Sequence, residues 1–306
     1  MSDPLTGVRV VSIAINLPGP AAVARLAGQG ASVVTVLPPG GDPMEQFAKD
    51  YYDELHVGQE VRRVDLKSDA GRAEVDELLS AADVFVTSSR PSALRRLGLD
   101  FESVHARHPQ VCQVDIVGHP GDEAETPGHD LTYQAVTGLL GEGRMPATLV
   151  VDLAGSERAA AEAAAALVAR SRTGEGVRRE VALSDVSQTI AGPLLHGLTA
   201  PGALLGGGLP VYAVYDTADR PIALAALEPH FTARVVEALG ITPEDLTRER
   251  LALFLRVLMM QLRVDLDLRE RRTRIELDEA ARRFRSELGV SLGRVKNFST
   301  ESLQHA

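Results

Sequence analysis

VRVVSIAINLPGPAAVARLAGQGASVVTVL, residues 8–37, decides the fold class. Val8 to Ile13 is a short β-branched run, and β-branched side chains favour a pleated backbone. Pro18-Gly19-Pro20 punctuates it. Ala21 to Gln29 then reads as a helix that Gly30 stops, and Ala31 to Leu37 returns as a second strand. Strand, helix and strand in this order predict a βαβ unit and hence a parallel sheet.

Working outward, the alternation continues. Ser68 to Ala82 reads as a helix, Val84-Phe85-Val86-Thr87 as a buried strand, Ser92 to Leu97 as a short helix and Gln110 to Val117 as another strand. The pattern is that of a doubly wound, Rossmann-like α/β domain. No Gly-x-Gly-x-x-Gly follows the first strand, so a nicotinamide dinucleotide is disfavoured. Glu157 to Arg172 is rich in alanine and strongly helix-favouring; Thr173-Gly174-Glu175-Gly176 ends it, and Val177 to Leu183 is again strand-like.

Leu204 to Pro210 contains three consecutive glycines and reads as a connector. Beyond it come strand-like Val211 to Tyr215, a turn at Asp216 to Asp219, strand-like Ile222 to Leu227, and helical segments from Pro229, including a charged stretch from Thr247 to Leu288. The expected organisation is a large domain over residues 1–204 and a smaller α/β domain over 205–306.

Composition narrows the function. Lysine plus arginine number 32 against 42 aspartates and glutamates, a net charge of −10, which argues against nucleic-acid binding. Any anionic ligand must then be held by a local group of cations. The lone cysteine, Cys112, excludes an intrachain disulfide and any cysteine-based metal site, and no metal is expected. The start, Met1-Ser2-Asp3-Pro4, lacks a basic and then apolar leader, and no run approaches the ~18 apolar residues of a membrane span. A cytoplasmic enzyme that does not engage membranes is the expectation.

Several segments, in order, resemble one superfamily, the class III CoA-transferases and α-methylacyl-CoA racemases. They are Leu5-Thr6-Gly7-Val8-Arg9-Val10-Val11, Gly19-Pro20, Leu26-Ala27-Gly28-Gln29-Gly30-Ala31, Asp65-Leu66-Lys67, Ala82-Asp83-Val84, Arg90-Pro91 and Arg96-Leu97-Gly98-Leu99. Gly128-His129-Asp130-Leu131-Thr132-Tyr133 resembles the racemase Gly-His-Asp motif. Asp152, ahead of the alanine-rich helix, sits where the family keeps its functional aspartate. Tyr215-Asp216-Thr217 and Leu227-Glu228-Pro229 resemble the entry to the small domain.

The resemblance implies an interlocked homodimer and an acyl-CoA substrate, with CoA entering as part of that substrate and no permanently bound cofactor. It implies that His129 and Asp152 are the acid–base pair and that Glu228 joins His129 in a proton relay. Inversion at an α carbon needs one group to remove a proton and another to return it, and histidine suits both roles near neutrality. Asp152 needs a raised pKa to act as the acid. Backbone N–H groups near Asp130 would hold the enolate oxygen, while Asp130 also reads as a simple helix cap. By resemblance, Lys67, Arg90 and Arg96 hold the CoA phosphates, and Gly128, Asp130 and Tyr133 belong to the same ligand site. The remaining histidines, His119 among them, read as surface or core residues.

Four features depart from the family pattern. The second strand ends Val36-Leu37-Pro38 without a charge, and Val57-Gly58-Gln59-Glu60 lacks the usual basic element. Asp152 lies in Val150-Val151-Asp152-Leu153-Ala154-Gly155-Ser156 rather than after a glycine, and the C-terminal segment that would return to the large domain looks shortened. Rival expectations are therefore a CoA-transferase with Asp152 as nucleophile, a member acting on a non-CoA substrate or on a double bond, and a non-catalytic scaffold.

Overall fold

The computed structural model describes residues 3–141, 143–217, 221–269 and 293–294. The chain divides into two compact units, Met1–Gly192 and Pro193–Ala306. The first runs β1 (Arg9–Ser12), α1 (Pro18–Ala27), β2 (Ser32–Leu37), α2 (Met44–Phe47), α3 (Lys49–Leu55), β3 (Glu60–Arg63), α4 (Asp69–Ser80), β4 (Val84–Thr87), α5 (Pro91–Leu97), α6 (Phe101–Arg107), β5 (Cys112–Val117), α7 (Asp130–Thr137), α8 (Val150–Thr173), β6 (Arg178–Ala182) and α9 (Leu183–Ile190).

Its six strands form one sheet in the order β3-β2-β1-β4-β5-β6, and every pairing is parallel. This is the doubly wound order expected from residues 8–37, with the strand order reversing between β1 and β4. Strands β4 and β5 are buried along their whole length because helices cover both faces. Val10, Val84 and Val114 pack under α1 and α8, with Ala22, Leu26, Ala159 and Ala163. Val11 and Phe85 face the other way, onto Val75, Leu79, Leu94 and Val104 of α4 to α6. Alternation along each strand thus feeds two cores, and full burial of a side chain such as Phe85 contributes about 1.5–3 kcal/mol.

Two helix starts differ from the sequence reading. Helix α1 begins at Pro18 rather than at Ala21. Proline is tolerated in a first turn, where its missing N–H has no partner to lose. Gly19 lets that turn close on the strand end, since a Cβ there would lie 2.3 Å from the Ala14 Cβ. Helix α8 begins at Val150, well before Glu157, so Asp152 lies inside its first turn and not ahead of it. Val150, Val151 and Gly155 are weak helix formers, and tertiary contacts override that preference. Gly155 is required because a Cβ would meet Leu183 Cδ2 at 2.3 Å. Asp65-Leu66-Lys67 forms the turn after β3.

The second unit follows α10 (Gly192–Leu195), which crosses the boundary. It contains a glycine turn at Leu204–Gly208, β7 (Tyr212–Tyr215), β8 (Ile222–Ala225), α11 (Pro229–Leu239), α12 (Arg248–Arg269) and β9 (Gly293–Arg294). Its three strands pair antiparallel around a core of Tyr215, Leu224, Val235, Leu251 and Leu255. The N–H of Leu205 bonds to the Leu198 carbonyl (3.1 Å) and that of Gly208 to Ala203 (2.8 Å). These bonds fold residues 193–203 against the glycine turn, so they group with the second unit rather than with residues 1–192. The turn at Asp216 to Asp219 is described only to residue 217 and the helical stretch to Leu288 only to 269; their remainders, and the C-terminal return segment, lie outside the described residues. Among the described residues, no helix is long and apolar enough to cross a membrane.

Candidate active site

Ligands of doubly wound sheets bind at the carboxyl ends of the strands, where loops leave in opposite directions. Here the loops after β1 and β4 are clasped together. The Ile15 N–H donates to Ser88 Oγ (3.0 Å), and that hydroxyl donates back to the Ile15 carbonyl (3.2 Å). Asp42, fully buried, accepts from the Asn16 N–H (3.0 Å) and the Met44 N–H (2.9 Å). Asn16 itself takes a left-handed backbone, φ 66°, a conformation asparagine tolerates better than most residues. The sequence reading did not single out Asn16, Ser88 or Asp42. A polar residue directly after a βα-unit strand was the available signal.

Of the three expected phosphate ligands, Lys67 and Arg90 follow strands at this edge, and Arg96 lies further along α5. Lys67 lies in the turn after β3, Arg90 caps α5 after β4, and Arg96 is in the last turn of α5; all are exposed. Among the described residues none of the three has an ion-pair partner, whereas neighbouring Arg95 lies 3.6 Å from Glu125.

The second half of the edge is built from α7 and α8. His129 is the N-cap of α7, exposed, and its N–H donates to Thr132 Oγ1 (3.1 Å). Asp130 is buried and serves a different helix. One carboxylate oxygen accepts from the N–H groups of Val151 (2.7 Å) and Asp152 (3.0 Å), and the other accepts from Gln134 Nε2. It therefore caps α8 in trans, placing its negative charge at the positive end of a long helix. That bond ties the turn carrying His129 to the turn carrying Asp152. Burial, and then the charge of Asp130, push the Asp152 carboxyl up to about 7. The N–H groups of Asp130 and Leu131 have no acceptor among the described residues, as expected of a helix start open to a ligand.

Tyr133 is buried behind this turn. Burial, and then the charge of Asp152, push its phenol up to about 12. A Cβ on Gly128 would lie 2.3 Å from the Tyr133 hydroxyl, and one on Gly118 2.6 Å from it. Two glycines thus make the slot that admits the ring. His119, left aside in the sequence reading, stands edge-on to Tyr133 with 5.6 Å between ring centroids. A cavity of about 200 Å³ opens here, with His119, Pro127, Thr132, Tyr133, Ser184 and Gln188 on its wall. A larger one, about 410 Å³, lies between β1, β2 and α4, where Arg62 and Glu74 satisfy each other at 3.4 Å. The smaller cavity has Tyr133 on its wall, the residue whose phenol feels the charge of Asp152.

The family model described as CoA-transferase family III matches residues 5–305. The chain belongs to that family. It is 30% identical over 267 residues to succinate–glutarate CoA-transferase of Agrobacterium fabrum, covering 78% of this chain and 67% of that protein. It is 29% identical to the α-methylacyl-CoA racemase of Mus musculus, covering 79% and 66%. Cinnamoyl-CoA:phenyllactate CoA-transferase of Clostridium sporogenes is 28% identical, covering 77% and 64%. The chain thus spans about two thirds of the length of these relatives. A CAIB/BAIF family protein from Brucella suis shares the fold, with a TM-score of 0.72, 24% identity, and 97% and 85% of the two chains covered.

The named relatives include both CoA-transferases and a racemase of an acyl-CoA. The first unit brings His129, Asp130, Tyr133 and Asp152 into one cluster. Glu228 belongs to the second unit, exposed at the N-cap of α11, where its carbonyl and not its carboxylate accepts from the N–H of Phe231 (2.9 Å). Among the described residues no cluster of histidines, cysteines and carboxylates could hold a metal.

Proposed function

We propose that this member of family III moves the α proton of an acyl-CoA thioester and so inverts its α carbon. One observation carries the reading: the Asp130 carboxylate joins the backbone of Asp152, whose carboxyl titrates near neutrality, to the turn bearing His129. A carboxyl with a pKa of about 7 and an imidazole are matched for exchanging roles as acid and base. In one direction the deprotonated member removes the proton, the C–H pair becomes the C=C of an enolate, and the protonated member delivers a proton to the other face. The open N–H groups of Asp130 and Leu131 suit the developing oxyanion. Exposed Lys67, Arg90 and Arg96 suit the phosphates of CoA, and Glu228 remains the candidate relay partner of His129. The protein would act as an interlocked homodimer, in the cytoplasm, on a free CoA ester.

A second reading has a specific basis, because several relatives are named as CoA-transferases. In it Asp152 attacks the thioester carbonyl and forms a mixed anhydride while CoA thiolate leaves. Incubation with a (2R)-2-methylacyl-CoA in deuterated buffer separates the two. Deuterium at the α carbon with loss of optical purity, dependent on His129 and Asp152, is the expected result. Absence of exchange together with a hydroxamate formed at Asp152 by hydroxylamine would overturn it in favour of transfer.

A further inference from the structure

The Tyr133 hydroxyl is a polar group whose position is fully specified and whose hydrogen-bonding capacity is not used. The residue is only 4% exposed, yet the hydroxyl makes no hydrogen bond with any described residue. Its oxygen is absent from the sealed, unpartnered polar atoms of the core, so it retains access to solvent at the cavity wall. The fold keeps two glycines, Gly118 and Gly128, where any side chain would strike that hydroxyl. The ring is held from one side by the His119 edge, and its backbone carbonyl accepts from Thr137 Oγ1 (3.0 Å) and Ser187 Oγ (3.0 Å). Nearby Asp130 and Asp152 are acceptors when charged, so a side-chain donor here would add to the open N–H groups of Asp130 and Leu131.

We propose that the Tyr133 hydroxyl is a catalytic donor, hydrogen-bonding the thioester carbonyl oxygen of the bound acyl-CoA and the oxyanion that develops on it. The assignment rests on the thioester reading of the site but is common to both chemistries. In proton transfer, the C–H pair moves into a C=C bond and the carbonyl π pair moves onto oxygen. In acyl transfer, the attacking carboxylate pair displaces the same π pair onto the same oxygen. In either case the phenol keeps its proton and donates a hydrogen bond, and the α proton or the thiolate leaves elsewhere. Burial keeps the phenol protonated across the working range, which a donor requires.

The test is Tyr133→Phe in the full chain, with 2-methylpropanoyl-CoA carrying ¹³C at its carbonyl. Isotope-edited infrared spectra of the complex read the hydrogen bond directly. In the wild type the carbonyl stretch is expected below that of the free thioester. In Tyr133→Phe it returns toward the free value, kcat falls about 100-fold, and KM and Tm stay close to wild type. Replacing Tyr133 by 3-fluorotyrosine, which keeps the shape and acidifies the phenol, moves the stretch further down. This holds the assignment to account even where the phenylalanine variant is unstable. An unshifted carbonyl in the wild type, or the same shift and the same kcat in Tyr133→Phe, overturns the assignment. A shifted carbonyl without α-proton exchange supports Tyr133 and removes the racemase reading alone.

Discussion

Asp130 is buried with three hydrogen-bond donors on its carboxylate, whereas the guanidinium of Arg90, on the same carboxyl edge of the sheet, stands exposed and makes no hydrogen bond among the described residues. The contrast extends to their neighbours. Around α7 and α8, polar groups are desolvated and locked: Asp130 caps α8, Tyr133 sits in a glycine slot, and Asp152 carries a shifted pKa. After β3 and β4, Lys67, Arg90 and Arg96 are exposed, and none of their side chains makes a hydrogen bond among the described residues. The difference matches two physical tasks. Bond-making needs groups held in place and tuned by burial. Gripping phosphates needs charges that surrender little when the ligand arrives.

The strongest test of this division is Asp152→Asn, together with His129→Ala. Each is expected to lower α-proton exchange by about 10³-fold or more while the protein still folds. Wild-type rates would remove the pair from the mechanism. Asp130→Ala strikes the frame of the locked region: loss of the cap is expected to destabilise by about 2 kcal/mol in denaturant unfolding and to lower kcat as Asp152 loses its support. Asp130→Asn sharpens the point, since it removes the charge while its one remaining oxygen can still cap α8, at the expense of the Gln134 bond. It should move the acid limb of the pH–rate profile below the wild-type value near 7, leaving the part of the shift that burial causes.

The hydrated region should respond differently. Arg90→Ala and Lys67→Ala are expected to raise KM for the CoA ester about five- to tenfold each, with kcat and Tm nearly unchanged and the effect shrinking in high salt. A fall in kcat instead would mean that these cations belong to the locked region.

The smallest effect is on stability. The Asp152 carboxyl is raised in the fold from 3.8 to about 7, so between those values the folded chain binds more protons than the unfolded one. Stability therefore falls as pH rises through that window, and the whole cost is present above about 7. Asp152→Asn should raise Tm at pH 8, by about 1–3 kcal/mol of added stability, and bring no gain at pH 4 or below. An equal gain at both pH values would show that packing, not charge, sets the change.

Much of the fold was legible because it depends on local pattern. The β-branched runs at Val10, Val33, Val84 and Val114 became neighbouring parallel strands, as their spacing with intervening helices required. Helix starts were less legible. Pro18 and Val150 begin helices whose first turns are favoured by contacts distant in sequence. In the site, the resemblance pointed to His129, Asp130, Tyr133 and Asp152, and the structure gathers these four. It could not show that Asp130 caps a helix other than its own, or that His119 lies against Tyr133.

By itself the sequence determined the doubly wound class, the family, and which residue types carry the chemistry, because hydrophobic periodicity and motif order are local properties of a chain. Only the tertiary structure decided which groups are satisfied and which are left over. The Asp130 oxygens are used up by α8 and Gln134, while the Tyr133 hydroxyl and the Arg90 guanidinium make no hydrogen bond among the described residues. Hydrogen-bond satisfaction and desolvation depend on atoms brought together from Gly118, Asp130, Val151 and Asp152. No stretch of sequence read alone contains that sum.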